Sequence, residues 1–198
     1  MKKEENYWSL RYKEQRTGWD IGYPSTPLKE YIDQLSDKSI KILIPGAGNA
    51  YEAEYLWQQG FTNVYILDIA ATPLEVFQKR NPDFPSLQLL QEDFFTHQGA
   101  YDLILEQTFF CSFIPTAKNR FAYAKQISAL LQVKGKLVGL WFAIPLTGDI
   151  EKRPFGGDKE LYLNYLCKYL KLLSFEPCYN SIPPRQGKEL FGIFANKE

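Results

Sequence analysis

The chain has 198 residues, 45% hydrophobic and 23% charged, with 23 Lys and Arg against 23 Asp and Glu for a formal net charge of zero. That length suits one domain able to bury a sizeable core, and balanced charge supplies no global field to draw nucleic acid or an anionic membrane surface. No apolar run approaches the roughly 20 residues of a membrane span, and Met1-Lys2-Lys3-Glu4-Glu5 carries no apolar signal core.

Residues 1–25 read as polar and irregular, with Trp8, Tyr12 and Trp19 set among charges. Three amphipathic rings point to a docked lid rather than a frayed tail. Thr26-Pro27, an N-cap and a first helical residue, begin a short helix over 26–35. A buried strand over 40–45 runs straight into Gly46-Ala47-Gly48-Asn49, and a helix over 50–59 stops at Gly60. The second strand, 64–68, ends on the carboxylate of Asp68. Thr72-Pro73-Leu74-Glu75 has the form of a capping box with proline at the first helical position.

The third strand, 87–91, follows the breakers of Asn81-Pro82-Asp83-Phe84-Pro85, and the fourth, 101–106, is a continuous apolar run of the kind covered on both faces. A helix over 117–131, a turn at Lys134-Gly135 and a strand over 136–143 lead to a Gly- and Pro-containing loop, 145–158. A helix over 159–171 precedes two closing strands, 172–179 and 190–195, whose link allows an antiparallel pair. The repeated alternation of strand and helix predicts an α/β, Rossmann-like fold in a single domain, 1–198: a mostly parallel seven-stranded sheet with helices on both faces. Three scattered cysteines, Cys111, Cys167 and Cys178, lack C-x-x-C spacing. They match neither a disulfide framework nor a zinc site and predict a cytoplasmic setting.

In an open α/β sheet, ligands lie beyond the carboxyl ends of the strands. There Gly46, Ala47 and Gly48 would bring bare backbone against a ligand, and Asp68 at the next strand tip can accept both hydroxyls of a ribose. A dinucleotide fingerprint places a third glycine where Tyr51 stands, to seat a pyrophosphate. S-Adenosylmethionine has no pyrophosphate and needs no such seat, so the pattern favours it as cofactor. Asp93 suits the adenine amino group and Phe94 the ring, while Glu92-Asp93 as a solvated loop is the other reading. Gln107 meets the methionine end of the cofactor or caps the next segment.

His97, the only histidine, has no plausible triad partner. Cys111, among Phe109, Phe110 and Phe113, reads as a packed thiol, and no cluster has metal-ligand spacing. No catalytic base is assigned. Methyl transfer from a sulfonium to a thiolate or halide is a direct displacement that asks for orientation and desolvation more than proton removal. Aromatic walls favour it by attracting the sulfonium and excluding water.

The segments Trp8-Ser9-Leu10-Arg11-Tyr12 and Thr17-Gly18-Trp19-Asp20-Ile21-Gly22 resemble the N-terminal aromatic lid of the thiopurine S-methyltransferase superfamily, most closely its halide/thiol methyltransferase branch. Ile44-Pro45-Gly46-Ala47-Gly48, Leu67-Asp68-Ile69, Glu92-Asp93-Phe94-Phe95, Tyr101-Asp102-Leu103-Ile104, Phe109-Phe110-Cys111 and Ile182-Pro183-Pro184-Arg185 extend the likeness over nearly the whole chain. The resemblance implies a monomeric, S-adenosylmethionine-dependent methyltransferase of class I fold acting on a small-molecule acceptor: a thiol, hydrosulfide, halide or thiopurine-like thiol. It implies that Trp8, Tyr12 and Trp19 close over the cofactor and that Gly46, Gly48, Asp68, Asp93, Phe94 and Gln107 line it. Trp19 and Phe155, the latter in a turn resembling the family's Pro-Pro-aromatic turn, would border the acceptor.

Tyr12 stands where many members carry Trp, and Gln107 where relatives show Tyr or Arg. Glu151-Lys152-Arg153-Pro154 replaces a Gly-Gly-Pro-Pro turn. A non-catalytic S-adenosylmethionine-binding module and an NAD(P)-dependent oxidoreductase are the alternative readings.

Overall fold

The structure is a computed structural model that describes residues 2–147 and 153–197. Glu151 and Lys152, and with them part of the 145–158 loop, lie outside the described residues. The described elements, in chain order, are α1 (Lys2–Lys13), α2 (Thr26–Asp33), β1 (Ile42–Pro45), α3 (Tyr51–Gln58), β2 (Val64–Asp68), α4 (Ala71–Arg80), β3 (Leu89–Gln91), β4 (Tyr101–Gln107), α5 (Ala117–Leu130), β5 (Leu131–Phe142), α6 (Lys159–Leu166), β6 (Leu170–Pro177) and β7 (Glu189–Asn196). The strands form a seven-stranded sheet in the order β3-β2-β1-β4-β5-β7-β6. The β1/β2, β2/β3 and β4/β5 pairs are parallel, and β7 runs antiparallel to β5 and β6. The expected α/β class and closing antiparallel pair are both present. The chain divides into two compact units, Met1–His97 and Gln98–Glu198.

In the first unit every residue of β1 is buried, and its register runs from Ile42 opposite Val64 to Pro45 opposite Leu67. Much of the stretch read as irregular is helical. α1 lacks a broad apolar stripe, the usual helical signal, but it has Glu4 and Glu5 in its first turn and Arg11 and Lys13 in its last, complementing the helix dipole. Arg11 also donates through Nη2 to the Tyr7 hydroxyl one turn earlier, at 2.9 Å.

Two predicted caps move. Ser25 rather than Thr26 holds the N-cap position of α2, without a side-chain capping bond, and its N–H donates to Glu52 Oε1 at 2.9 Å. α4 starts at Ala71, so Thr72 lies inside the helix and makes no capping box. Asp68 Oδ1 accepts from the Ala70 N–H at 2.9 Å, an Asx-type turn that leads from β2 into the helix.

In the second unit β5 starts at Leu131, five residues before the predicted strand, and Lys134, at φ 65°, lies within it as an irregularity rather than a turn. Gly139 on β5 faces Glu106 on β4. An added Cβ there would lie 2.5 Å from both the Cβ and the carbonyl oxygen of Glu106, so the pairing demands glycine for space. α6 ends at Leu166 because Leu170 already pairs with Asn196 in the β6/β7 ladder. Trp141, Phe175 and Phe194 pack with centroids 5.4–5.8 Å apart beside Gly192, where an added Cβ would meet all three rings within 3.0 Å. No described helix is long and apolar enough to cross a membrane.

Candidate functional site

The first unit assembles most of the anticipated residues around the tip of β1. Gly46 and Gly48 sit at φ 58° and 54°, a left-handed backbone that glycine adopts without penalty. A Cβ on Gly48 would lie 3.0 Å from the Tyr12 hydroxyl and 3.7 Å from Trp19 Nε1, so these N-terminal side chains rest directly on bare turn backbone. Trp19 meets Trp8 and Tyr12 edge to face, at centroid distances of 5.4 and 5.7 Å.

Asp68 lies beside this turn, only 6% exposed. Its Oδ2 accepts from the Gly48 N–H at 3.1 Å. Burial pushes its carboxyl up to about 6, although backbone N–H groups of Ala70, Gly48 and Ile69 favour the ionised form. Burial, and secondarily the Asp68 charge, push the Tyr12 hydroxyl well above the usual tyrosine range. Trp8, Tyr12, Trp19, Gly48 and Asp68 thus belong to one cluster, with Gly46 opening the turn. A desolvated carboxylate for a diol, bare backbone and aromatic rings fit an adenosyl sulfonium group.

Asp20 and Asn49 complete the cluster. The Asn49 side-chain amide donates to Asp20 Oδ2, while Asp20 Oδ1 accepts from the Gly22 N–H at 2.9 Å. Arg80 Nη2 donates to the Asn49 carbonyl at 2.5 Å, and Arg80 Nε pairs with Glu54. These bonds tie the lid to the glycine turn, and no local motif marks them.

Asp93 and Phe94 follow β3. Asp93 Oδ1 accepts from the Phe95 N–H at 3.0 Å, and its carbonyl accepts from the N–H groups of Thr96 and His97 at 3.0 Å, so Asp93 organises its own loop. Phe94 is buried, edge to face with Phe95. His97 Nδ1 lies 2.6 Å from Glu92 Oε2.

Gln107 and Phe155 belong to the second unit. Gln107 is half-buried at the end of β4, opposite Leu140. Phe155 is buried; its N–H donates to the Cys111 carbonyl at 2.8 Å, and the Arg153 guanidinium lies 5.6 Å from its ring centroid. Cys111 is buried and its thiol is pushed upward by that burial, in keeping with a packed thiol.

Sequence reasoning passed over Arg120, which is 2% exposed. Its Nη2 donates to the Gly156 carbonyl at 3.2 Å, its guanidinium lies 4.8 Å from the Phe110 ring centroid, and it also hydrogen-bonds Tyr162 on α6. The signal was a cation on the apolar face of α5, which buries Arg120, Tyr123, Ala124 and Ile127 at helical spacing.

The family described as thiopurine S-methyltransferase matches residues 3–176 of the chain. The chain is 30% identical over 195 residues to Probable thiol methyltransferase 2 of Arabidopsis thaliana, covering 93% of this chain and 82% of that protein. It is 29% identical over 196 residues to Thiocyanate methyltransferase 1 of the same plant, covering 96% and 84%. Among solved structures, the fold is similar to Burkholderia thailandensis 1,6-didemethyltoxoflavin-N1-methyltransferase with S-adenosylhomocysteine, at TM-score 0.79 and 14% identity over 98% of this chain and 87% of that one. It is also similar to a TehB-like methyltransferase from Corynebacterium glutamicum, at TM-score 0.66 and 17% identity over the whole of both chains.

Proposed function

The chain belongs to the thiopurine S-methyltransferase family and is an S-adenosylmethionine-dependent methyltransferase, and we propose that its acceptor is a small soft anion: a thiolate, hydrosulfide, halide or thiocyanate. The family assignment displaces the oxidoreductase and silent-module readings. When bound, the cofactor would supply an electrophilic sulfonium methyl group with a neutral thioether, S-adenosylhomocysteine, as leaving group. Within the first unit, Asp68 accepts hydrogen bonds from the ribose hydroxyls, Gly46 and Gly48 offer backbone, and Asp93 and Phe94 take the adenine. Trp8, Tyr12 and Trp19 roof the cofactor and exclude water. The protein acts as a cytoplasmic monomer on free small molecules.

The observation that supports the acceptor class is Arg120, a buried guanidinium against the Phe110 ring whose hydrogen bonds to the Gly156 carbonyl and to Tyr162 leave further N–H donors for an anion. A buried donor of this kind is costly to leave unmade, and a weakly hydrated anion satisfies it at least desolvation cost. Displacement by an anion needs no base, so the chain's part is orientation and dehydration. The names of the Arabidopsis relatives, a thiol and a thiocyanate methyltransferase, favour the same acceptors.

The test compares kcat/KM for thiocyanate, iodide, hydrosulfide and a thiopurine with that for an amine and a phenol. Soft anions are expected to lead, and Arg120→Gln is expected to raise KM for thiocyanate about tenfold, the loss of roughly one charge-assisted hydrogen bond. Preference for the amine or phenol contradicts the assignment.

Trp19→Ala tests the roof. It removes edge-on contacts to Trp8 and Tyr12, so S-adenosylhomocysteine affinity is expected to fall about tenfold, with the ligand-free Tm lowered by no more than about 2–4 °C, the equivalent of about 1 kcal/mol. A large loss of Tm with affinity retained would make Trp19 a core residue.

A further inference from the structure

We infer that the Glu106 carboxylate is a positioning residue for methyl transfer, clamping the turn after β4 and, through it, the segment after β5. Glu106 is 1% exposed at the end of β4. Its Oε1 accepts from the N–H groups of Phe109 and Phe110, both at 2.9 Å, and its Oε2 accepts from the Tyr123 hydroxyl on α5 at 2.6 Å. Three donors from two elements therefore converge on one carboxylate.

The turn held in this way, 108–113, begins at Thr108, whose φ of 57° is uncommon for a non-glycine residue. It is braced internally by Ser112 Oγ donating to the Phe109 carbonyl at 2.6 Å and Cys111 Sγ donating to the Thr108 carbonyl at 3.2 Å. Its outward carbonyls then hold the next loop. The Cys111 carbonyl accepts from the Phe155 N–H at 2.8 Å, and the Ser112 carbonyl accepts from Arg153 Nε at 2.7 Å. From α5, Arg120 Nη2 reaches the Gly156 carbonyl at 3.2 Å. Segments at the carboxyl ends of adjacent parallel strands are where this class of sheet meets its ligand. One buried carboxylate thus sets the backbone of both. The catalytic part of the inference rests on the methyl-transfer reading above; the clamp itself does not.

Charge enters the test. The ionisable neighbours are Tyr123 on α5, Cys111 on the turn and Tyr162 on α6, all pushed upward by burial and so neutral, while Arg120 and Arg185 act on Cys111. Burial raises Glu106 to about 7, against the Tyr123, Phe110 and Phe109 hydrogen bonds that favour its anion. All three donors address the ionised form.

The experiment pairs amide hydrogen exchange with kinetics on the whole chain, for wild type, Glu106→Gln and the milder Tyr123→Phe. In Glu106→Gln, exchange is expected to quicken about tenfold at Phe109, Phe110 and, through the Cys111 carbonyl, Phe155. At saturating cofactor, kcat/KM for thiocyanate, an acceptor that stays anionic, is expected to fall about tenfold while S-adenosylhomocysteine affinity holds within about twofold. The acid limb of the wild-type profile, near pH 7, moves to higher pH in Tyr123→Phe and vanishes in Glu106→Gln. A lower Tm with exchange at Phe155, kcat/KM and the acid limb all unchanged would overturn the inference and leave Glu106 purely structural. If the wild-type protein methylates no soft anion while Glu106→Gln still quickens exchange at Phe155, the functional reading is refuted and the clamp stands.

Discussion

Asp68→Ala is expected to weaken S-adenosylhomocysteine binding by a hundredfold or more, about 3 kcal/mol, because two ribose hydroxyls lose a charged acceptor and such bonds contribute roughly 1.5–3 kcal/mol each. The substitution also frees the N–H groups of Gly48 and Ala70, which Asp68 accepts at 3.1 and 2.9 Å, so the glycine turn and the start of α4 lose a common anchor. Asp68→Asn separates the effects, since an amide keeps one acceptor in place but has no charge. Calorimetric titration is the check, and unchanged affinity in the alanine variant would exclude Asp68 from the ribose.

The same carboxyl makes binding and stability run in opposite directions with pH. Its folded value of about 6 lies above the ordinary 3.8, so between these pH values the folded state holds the proton more than the unfolded state does. Stability from this group is therefore full below about pH 4 and is lost as pH rises through about 6. Ribose binding calls on the ionised form, so cofactor affinity rises over the same interval. Parallel slopes in the two measurements would contradict the assignment.

Gly139→Ala carries the largest expected loss of stability. β5 is flanked by paired strands at this point: Gly139 faces Glu106 on β4 and Gly192 on β7. The added methyl would sit 2.5 Å from the Cβ and carbonyl oxygen of Glu106, backbone and near-backbone atoms that cannot swing aside. Overpacking of a close-packed interior costs about 1–3 kcal/mol and more where backbone must move. For a chain of this size about 3 kcal/mol lowers Tm by roughly 6–12 °C. A Tm within a degree of wild type would mean that the β4/β5 pair opens more easily than its geometry implies.

The parts of the fold readable in advance are those whose physics is local. β2 has its expected bounds because an apolar run ends on Asp68, and β4 extends one residue past them because a strand covered on both faces is continuous in hydrophobicity. α1 was missed because its support is charge placement rather than an apolar stripe. The first part of β5, 131–135, has the sequence pattern of a helix end and turn because Leu131 continues an apolar pattern that only the pairing with Tyr101 resolves.

The site follows the same division. Gly46, Gly48 and Asp68 announce themselves by glycine punctuation and a carboxylate at a strand tip, and the aromatic lid by its likeness to a family. Asp20 with Asn49, Arg120 with Gly156 and Glu106 with Tyr123 are pairings across long stretches of chain. No periodicity marks such pairs, so they emerge only once the chain is folded.

The most direct test of the central claim is transfer of a labelled methyl group from S-adenosylmethionine to thiocyanate by the wild-type protein, followed as volatile product against a control without acceptor. The account predicts product that depends on protein, cofactor and acceptor together and that falls sharply in Asp68→Ala. Cofactor binding with no methylated product from thiocyanate, iodide, hydrosulfide or a thiol would contradict it.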